Sequence, residues 1–463
     1  MDTVLCAGVA PGTSPCELPG ANFPSGSLTL FGNPGGDVLI VDNGQTALLT
    51  TASDYYNFGT IRNQGNLELG NASLAVVPWL RIMGPGSMLD NFGATDNLST
   101  IYVQDNFTLS SGAPTGPGSI YNRSGAVFNN GLPDGVGGYL YGDIDGYDGA
   151  TLTNDGTFNN YSLLYLDSTS VLINRGVLTN YAPGTTDGAD MFIEGTVTNS
   201  GTIHNTAGAA MEISGTLHNA AGGRIVNDGR FDAFASGPGV GSFTNEGAVE
   251  ISAGATGPAP VAFKPGRFLQ TAGSLSVDGQ FVQSKFDIQG GLVTGGGIID
   301  TTNSDVVAGN PTVYIGPDAI LLPGGVDNTL EIVGNVTIDG ELIIQLAGIG
   351  QGTVLQITQD PFAGSNSGNL DFNGTLTVQL LSGFTPSSGD TFDLLDYVIA
   401  AGNITLGDFT LNPDANMPGF RWVLSGNTTF QLVAVPLPAG LWLFLSGLAA
   451  FAGLWRRQAL ATA

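Results

Sequence analysis

The sequence predicts an all-β protein whose body is a parallel β-helix, or β-solenoid, followed by a β-rich C-terminal cap and one C-terminal transmembrane helix. A degenerate Asn-x-Gly motif recurs at the spacing of solenoid coils, and short runs of alternating apolar and polar residues lie between its copies. No segment before the tail carries a sustained apolar stripe at helical spacing. These observations favour one elongated repeat domain, and they leave the handedness of the solenoid open.

Residues 1–25 are an N-terminal segment in front of the repeats. They have no positively charged start and no long apolar run, so we expect an export signal peptide to lie upstream of Met1. A cytoplasmic protein is the alternative. Cys6 and Cys16, the two cysteines of the chain, are candidates for a small disulfide loop in an exported protein, with two free thiols as the alternative.

Residues 26–330 are the predicted solenoid. Apolar runs at 27–31, 37–41 and 73–77 alternate with Gly, Asn and Pro, a pattern typical of short strands joined by turns. The Asn-x-Gly motif begins at Asn57, Asn63, Asn154, Asn174, Asn199, Asn227 and Asn245. From Asn154 onward the copies lie 20, 25, 28 and 18 residues apart, which is the coil length of a parallel solenoid.

The motif has a physical explanation as a corner between strands. We expect its Gly to adopt positive φ without steric cost, and its Asn to bond through the side-chain amide to the Asn of the next coil. Stacked asparagines would then form a ladder. The residues after each corner alternate, so Val, Ile, Leu and Phe are predicted to point inward while Thr and Ser point outward.

Residues 331–433 are predicted to end and cap the solenoid. A glycine-rich stretch at 290–297 predicts a flexible interruption before longer strands at 329–333, 336–346 and 375–380. Residues 383–395 resemble the closing segment that follows β-helices in many secreted and surface repeat proteins. A cap covers strand edges that would otherwise promote aggregation.

Residues 434–457 form a tail of three parts. Residues 439–455 carry no charge, and as a helix they would extend about 25 Å, slightly less than the hydrocarbon thickness of a bilayer. The arginine pair after the helix keeps this end in the cytoplasm and the body on the far side of the membrane. The motif before the helix is Val435, Pro436, Leu437, Pro438 and Ala439, and the membrane-stop residues are Arg456 and Arg457.

This order of parts resembles the PEP-CTERM class of sorting signals, in the variant spelled Val-Pro-Leu-Pro-Ala that matches residues 435–439. The resemblance implies a Gram-negative bacterium and an exosortase-like membrane transpeptidase as partner. It implies an inner-membrane-anchored precursor that is passed to the cell surface or extracellular matrix. The chain lacks the Glu of the commoner Pro-Glu-Pro form, so the resemblance does not define the cleaved bond.

Composition limits the partners. The chain has 39 acidic and 12 basic residues and a net charge of −27, so it is not a basic nucleic-acid-binding protein. Such acidity keeps an exported surface soluble and attracts divalent cations. We therefore expect no nucleic-acid partner.

Few residues point to chemistry, and the sequence predicts no catalytic residues, no metal site and no cofactor. Asp143, Asp145 and Asp148 are weak candidates for Ca²⁺ ligands, but they lack a complete calcium loop and its closing Glu. His204 and His218 lie in nearly identical pentapeptides and are candidates for stacking on one face, where outward polar positions of a repeat explain them without a metal.

The sequence therefore predicts a non-enzymatic, exported cell-surface or matrix protein. A regular polar face suits adhesion, biofilm formation or association with exopolysaccharide or surface glycans through repeated weak contacts. The alternative is a β-helix polysaccharide-degrading enzyme, a lyase or glycosidase, which would need a cluster of acidic or basic residues on one face.

Overall fold

The computed structural model describes residues 3–5, 16–17, 28–29, 38–49, 55–57, 59–70, 79–104, 117–133, 139–140, 142–182, 191–233, 242–255, 266–301, 313–325, 328–348, 351–359, 368–381, 384–385, 387, 390–397, 410–413, 420–425 and 429–434. Secondary structure in these residues is entirely β-strand. The all-β prediction is thus confirmed for the part of the chain that the structure describes.

Most strands stack in three parallel rows, and one strand from each row makes a coil. The first row contains Thr3–Leu5, Val38–Val41, Thr60–Asn63, Met88–Asn91, Ser119–Asn122, Thr151–Asn154, Val171–Asn174, Thr196–Asn199, Thr216–Asn219, Ser242–Asn245, Arg267–Gln270, the first parts of Lys285–Gly295 and Val313–Pro323, Val336–Ile338 and Leu370–Phe372.

The second row begins after the first corner of each coil. It contains Cys16–Glu17, Thr46–Leu49, Asn66–Leu69, Ala94–Asn97, Val127–Asn130, Thr157–Asn160, Val177–Asn180, Thr202–Asn205, Arg224–Asn227, Ala248–Ile251, Ser274–Val277, the second parts of Lys285–Gly295 and Val313–Pro323, Glu341–Gly348, Thr375–Leu380 and Thr410–Pro413.

The third row is divided between two sheets. Nine strands form its first sheet: Leu28–Thr29, Tyr55–Asn57, Trp79–Met83, Thr100–Gln104, Asp143–Gly146, Leu164–Leu166, Met191–Ile193, Ala210–Ile213 and Arg230–Ala233. The second sheet contains Gln280–Val282, Ile298–Asp300, Thr329–Val333, Val354–Thr358, Thr391–Tyr397, Thr429–Ala434 and Phe420–Ser425. The short strands Leu132–Pro133 and Tyr139–Leu140 pair with each other, and Gln351–Gly352 pairs with Glu341–Gly348, all antiparallel.

The core follows from the alternation in each strand. In Thr151–Asn154 the first and third side chains are partly exposed and the second and fourth are buried. Register then places Leu152 beside Leu172, and Leu172 beside Val197, all within the core. Burying a side chain of this size stabilises the fold by about 1.5–3 kcal/mol. The predicted inward stacking of apolar residues is confirmed.

The predicted interruption at residues 290–297 is wrong. Lys285–Gly295 is a single strand with a register shift between Ile288 and Gly290, so its first part pairs in the first row and its second part in the second. Gly291 has φ of 82°, and a Cβ there would lie 2.3 Å from the carbonyl oxygen of Gly273. The glycines allow the strand to turn a corner against the neighbouring coil without breaking it.

Parallel pairing does not end at residue 330, where the sequence places the start of the cap. It continues to the pair of Thr375–Leu380 with Thr410–Pro413. Thr429–Ala434 then pairs antiparallel with Thr391–Tyr397 and with Phe420–Ser425, which changes the strand direction at the C-terminal end of the third row. The domain boundaries themselves stay a prediction.

The predicted tail lies outside the described residues. This applies to the motif at 435–439, the predicted helix and the arginine pair at 456–457, and also to Cys6 and the side chain of Cys16. In the portion of the chain that is described, there is no helix with the length and apolar character needed to cross a membrane.

Candidate functional site

Two buried asparagine ladders hold the coils in register. Each Asn ends a strand, and its Nδ2 donates to the side-chain oxygen at the same position of the next coil at 2.7–3.0 Å. The first-row ladder contains Asn63, Asn91, Asn122, Asn154, Asn174, Asn199, Asn219, Asn245 and Gln270. The second-row ladder contains Asn97, Asn130, Asn160, Asn180, Asn205 and Asn227.

The predicted ladder is therefore confirmed, although the motif marks more than one corner of the coil. Asn154, Asn174 and Asn199 end strands of the first row, whereas Asn227 ends a strand of the second row. Asn57 lies outside both ladders, in the third row, and its Nδ2 donates to the backbone oxygen of Met88. The spacings of 28 and 18 residues on either side of Asn227 reflect this mixture of corners, whereas those of 20 and 25 residues are coil lengths within the first row.

The predicted reason for the motif glycines is wrong. The positive-φ glycines do not include Gly156, Gly176 or Gly201. A Cβ at Gly176 would instead lie 2.1 Å from the carbonyl oxygen of Gly156, and one at Gly201 would lie 2.1 Å from that of Gly176. Glycine is required because each corner packs directly on the backbone of the corner in the preceding coil.

The outward side of the third row carries a column of aromatic and charged side chains. Parallel register places Arg81, Tyr102, Asp145, Tyr165 and Phe192 next to one another, in that order, on successive coils. All five are partly exposed, whereas their strand neighbours on either side are largely buried. We call these five residues the aromatic column. Adjacent coils bring its members to about 4.8 Å spacing.

At one end of the column, a cation lies on aromatic rings. The guanidinium carbon of Arg81 is 4.7 Å from the ring centre of Tyr102 and 5.1 Å from that of Trp79. The rings of Trp79 and Tyr102 meet edge to face at 5.6 Å. Trp79 is 39% exposed, which is unusual for the largest apolar side chain and leaves its ring accessible to a ligand.

At the other end, rings stack on one another. The rings of Tyr165 and Phe192 are parallel within 11°, with centres 5.7 Å apart. Tyr147 follows the strand of Asp145 and places its ring 5.3 Å from that of Tyr165. The aromatic column and its flanking Trp79 and Tyr147 therefore form a continuous amphipathic surface.

Asp145 lies between the two aromatic ends of the column. Burial, and secondarily the charge of Asp143, raises the pKa of Asp145 to about 6. Burial also raises the pKa of Tyr147 to about 12, with the Asp145 charge contributing. The pKa of Tyr165 is raised by burial and then by Glu194. The surface is thus acidic as well as aromatic.

The calcium candidates are divided between strand and turn. Asp143 and Asp145 are outward residues of one strand, and Asp143 accepts a hydrogen bond from Ser162 Oγ at 2.9 Å. Asp148 lies in the following turn with φ of 56°, where its N–H donates to Asp167 Oδ2. Among the residues that the structure describes, no group of three or more His, Cys, Asp or Glu side chains is placed to hold a metal ion.

The two histidines do not stack. His204 lies in the second row, with Nε2 2.7 Å from Asp228 Oδ2, while His218 lies in the first row, with Nε2 3.6 Å from Glu246 Oε1. Their pentapeptides are similar because both rows use the same Thr-x-x-Asn strand, which ends at a ladder asparagine. The expectation of one shared face was wrong.

Sequence reasoning missed the aromatic column. Its members lie 21, 43, 20 and 27 residues apart, with long insertions between some of their strands, so no fixed period reveals them. An available signal was the aromatic residue at the middle, outward position of short strands such as Leu164–Leu166 and Met191–Ile193. Such a position normally carries a polar residue.

Residues 144–285 match the family model of the BigA fourth domain. The matched segment includes Asp145, Tyr165 and Phe192 of the aromatic column and the ladder from Asn154 to Gln270. No curated protein matches the chain. The domain match, together with the parallel solenoid, indicates an adhesin-like, exported cell-surface protein.

Proposed function

We propose that this chain is a non-enzymatic surface protein that binds glycans through the aromatic column. The observation that carries the proposal is the register of Tyr102, Asp145, Tyr165 and Phe192 on adjacent coils. Aromatic rings bind the apolar faces of sugar rings, and nearby carboxylates accept hydrogen bonds from sugar hydroxyls. A polymer lying along the solenoid axis meets one such contact after another.

The rigidity of the solenoid makes these contacts additive. Two buried amide ladders and continuous parallel sheets fix the spacing of the outward side chains, so little conformational entropy is lost when a ligand binds. Several weak contacts to one polymer then act as a multivalent site. This supports a role in adhesion, biofilm formation or exopolysaccharide association.

We further propose that the tail delivers the body to this location. The Val-Pro-Leu-Pro-Ala motif at 435–439, the apolar segment and Arg456-Arg457 would engage an exosortase-like transpeptidase and anchor a precursor in the inner membrane. Intact mass measurement on membrane and extracellular fractions tests this. A product lacking the residues beyond about Ala439 supports processing, whereas a full-length form confined to the membrane contradicts release to the matrix.

Binding is tested with the purified protein and immobilised neutral, amino-group-bearing and uronate polysaccharides. We expect retention on at least one of the first two, and weaker retention after Tyr165→Ala. Lack of retention on every polysaccharide at millimolar sugar would overturn the proposed function.

A polysaccharide-degrading enzyme is the second candidate. The observation in its favour is the pair of Asp143 and Asp145 on one strand, where the raised pKa of Asp145 resembles the unequal carboxylates of glycosidases. Release of reducing ends or unsaturated sugars from the bound polysaccharide distinguishes the two candidates. We expect no such products, and their appearance, with loss in Asp145→Asn, would support the enzyme.

A further inference from the structure

Several outward carboxylates on this solenoid pair with an arginine from an adjacent coil. Asp90 Oδ1 lies 2.6 Å from Arg123 Nε, and Asp90 Oδ2 lies 3.6 Å from Arg62 Nε. Asp155 Oδ1 lies 2.6 Å from Arg175 Nε. The other arginine pairs are Glu212 with Arg230, Glu250 with Arg224 and Asp287 with Arg267. Two further carboxylates contact histidines, Asp228 with His204 and Glu246 with His218. The negative charge of the arginine-paired carboxylates is thus neutralised within the solenoid itself.

Asp145 differs from these residues. In the described part of the chain its carboxylate has neither an ion pair nor a hydrogen bond. The charge that acts on its pKa is the like charge of Asp143 on the same strand. Its strand lies between the strands of Tyr102 and Tyr165, and the ring of Tyr147 leans against that of Tyr165. Asp145 is therefore a partly desolvated carboxylate beside aromatic residues, and a cation bound there would offset the cost of burying its charge.

The neighbouring coils show that aromatic faces in this protein accept organic cations. Arg81 lies over Trp79 and Tyr102, and Arg123 lies 3.6 Å from the ring centre of Tyr121. At Asp145 the column has aromatic neighbours, Tyr102 and Tyr165, and a carboxylate, but no ion pair is formed with that carboxylate in the described part of the chain. Aromatic faces attract ammonium groups through cation–π interactions, and a neighbouring carboxylate attracts the same positive charge.

We infer that Asp145, with Tyr102, Tyr147 and Tyr165, binds the ammonium group of a glycan that contains free amino sugars. This inference rests on the proposed function and names the ligand class of the same face. A divalent metal ion fits the site less well, because Ca²⁺ takes six to eight oxygen ligands and the rings offer few. A uronate polymer would be repelled by Asp143 and Asp145.

The test is titration calorimetry of the full-length protein at pH 6.5, where the amines of an amino sugar are partly protonated and Asp145 is mostly ionised. The two ligands are hexasaccharides, glucosamine hexaose with free amines and its fully N-acetylated counterpart. We expect wild type to prefer the free amine by about tenfold or more, as a charged hydrogen bond with a cation–π contact would give. Asp145→Asn, which keeps the shape of the side chain, should reduce this preference to about twofold without weakening binding of the N-acetylated sugar.

A matched control is needed because a chain of net charge −27 attracts any polycation. Asp371→Asn removes the same charge from an outward position of the first row, far along the solenoid, and should leave the preference unchanged. Thermal melting of each variant confirms folding.

Each outcome is decisive. Equal affinity of wild type for the two hexasaccharides, or equal loss in Asp145→Asn and Asp371→Asn, overturns the inference and leaves glycan binding intact. Absence of binding to either sugar also overturns the inference, and retention on the other immobilised polysaccharides then decides the proposed function. Calcium binding by wild type that is lost in Asp145→Asn would show that the site binds a metal ion and not an ammonium group, and it would also overturn the inference.

Discussion

Asn174 Nδ2 donates a hydrogen bond to Asn199 Oδ1 at 2.7 Å, and both side chains are completely buried. The same Nδ2 also donates to the carbonyl oxygen of Thr202, so one amide joins its own coil to both sides of a single corner in the next coil. A buried amide is favourable only when its groups are bonded, and the ladder provides a partner at each level. This relationship explains how a largely apolar interior retains two lines of buried asparagines.

Asn174→Ala should lower the free energy of unfolding by about 2–4 kcal/mol, because it removes a rung and leaves polar groups of Asn154 and Asn199 without a partner. Chemical denaturation followed by far-UV circular dichroism measures the change. Asn159→Ala is the matched control, since Asn159 bonds to Asn129 at 2.8 Å on the partly exposed side of the second row. Its loss should cost about 0.5 kcal/mol or less. Equal effects of the two substitutions would contradict a special role for the buried ladder.

Gly176→Ala should destabilise the protein by about 3 kcal/mol or more, because the new Cβ would overlap the carbonyl oxygen of Gly156. Gly222→Ala separates this effect from backbone strain. Gly222 has φ of 83°, and a Cβ there would meet no atom within 4 Å, so alanine costs about 1–2 kcal/mol from the left-handed conformation alone. Asn tolerates that conformation, so Gly222→Asn should recover part of the loss while Gly176→Asn should not. Recovery at Gly176 would contradict the close-packing explanation.

Asp145→Asn should stabilise the protein at pH 7.5. The folded pKa of Asp145 is about 6 against 3.8 for the free group, so the folded state binds more protons between these values and stability falls as pH rises through this window. Removing the charge should raise the free energy of unfolding by about 1–2 kcal/mol at pH 7.5, after allowance for solvent screening, and have little effect at pH 4. Denaturation across pH 4–8 measures this. A stabilising variant that loses the preference for amino sugars would mark Asp145 as a binding residue maintained at a cost in stability.

The pKa of Asp155 is shifted in the opposite direction from that of Asp145, so its charge stabilises the folded state. The hydrogen bond from Arg175 holds the pKa of Asp155 below its usual value, so its contribution is present above pH 4 and is lost as pH falls through the folded pKa. Asp155→Asn should therefore destabilise the protein by about 0.5–1 kcal/mol at pH 7.5, as expected for an exposed pair. A destabilising Asp145→Asn at the same pH would show that Asp145 has an unrecognised partner.

Tyr165→Ala should weaken glycan binding by about 2–10-fold, because it removes the ring that lies between Asp145 and Phe192 in the aromatic column. Tyr161→Ala is the matched control: the ring of Tyr161 stacks on that of Tyr181 at 4.5 Å, but it lies outside the column. Binding to the immobilised polysaccharide should not change in this control. Equal loss in both variants would place the binding surface elsewhere.

Local sequence signals predicted much of this structure. Alternation predicted the inward residues, the Asn-x-Gly spacing predicted coils, and strands at 329–333 and 375–380 occur where they were expected. These successes share a cause, because the period of a strand and the chemistry of a corner depend on neighbouring residues. The interpretation of 290–297 failed because glycine has two uses, as a flexible linker and as the residue that fits against another backbone, and only the adjacent coil distinguishes them.

The sequence by itself determined the all-β solenoid, the buried asparagine ladder and the acidic surface of this protein. Tertiary structure decided which residues face one another between coils. His204 and His218 have similar sequence neighbourhoods and lie in different rows, whereas Tyr102 and Asp145 lie 43 residues apart and are adjacent. Insertions change the length of a coil along the chain without changing its rise along the axis, so separation in sequence does not give separation in space.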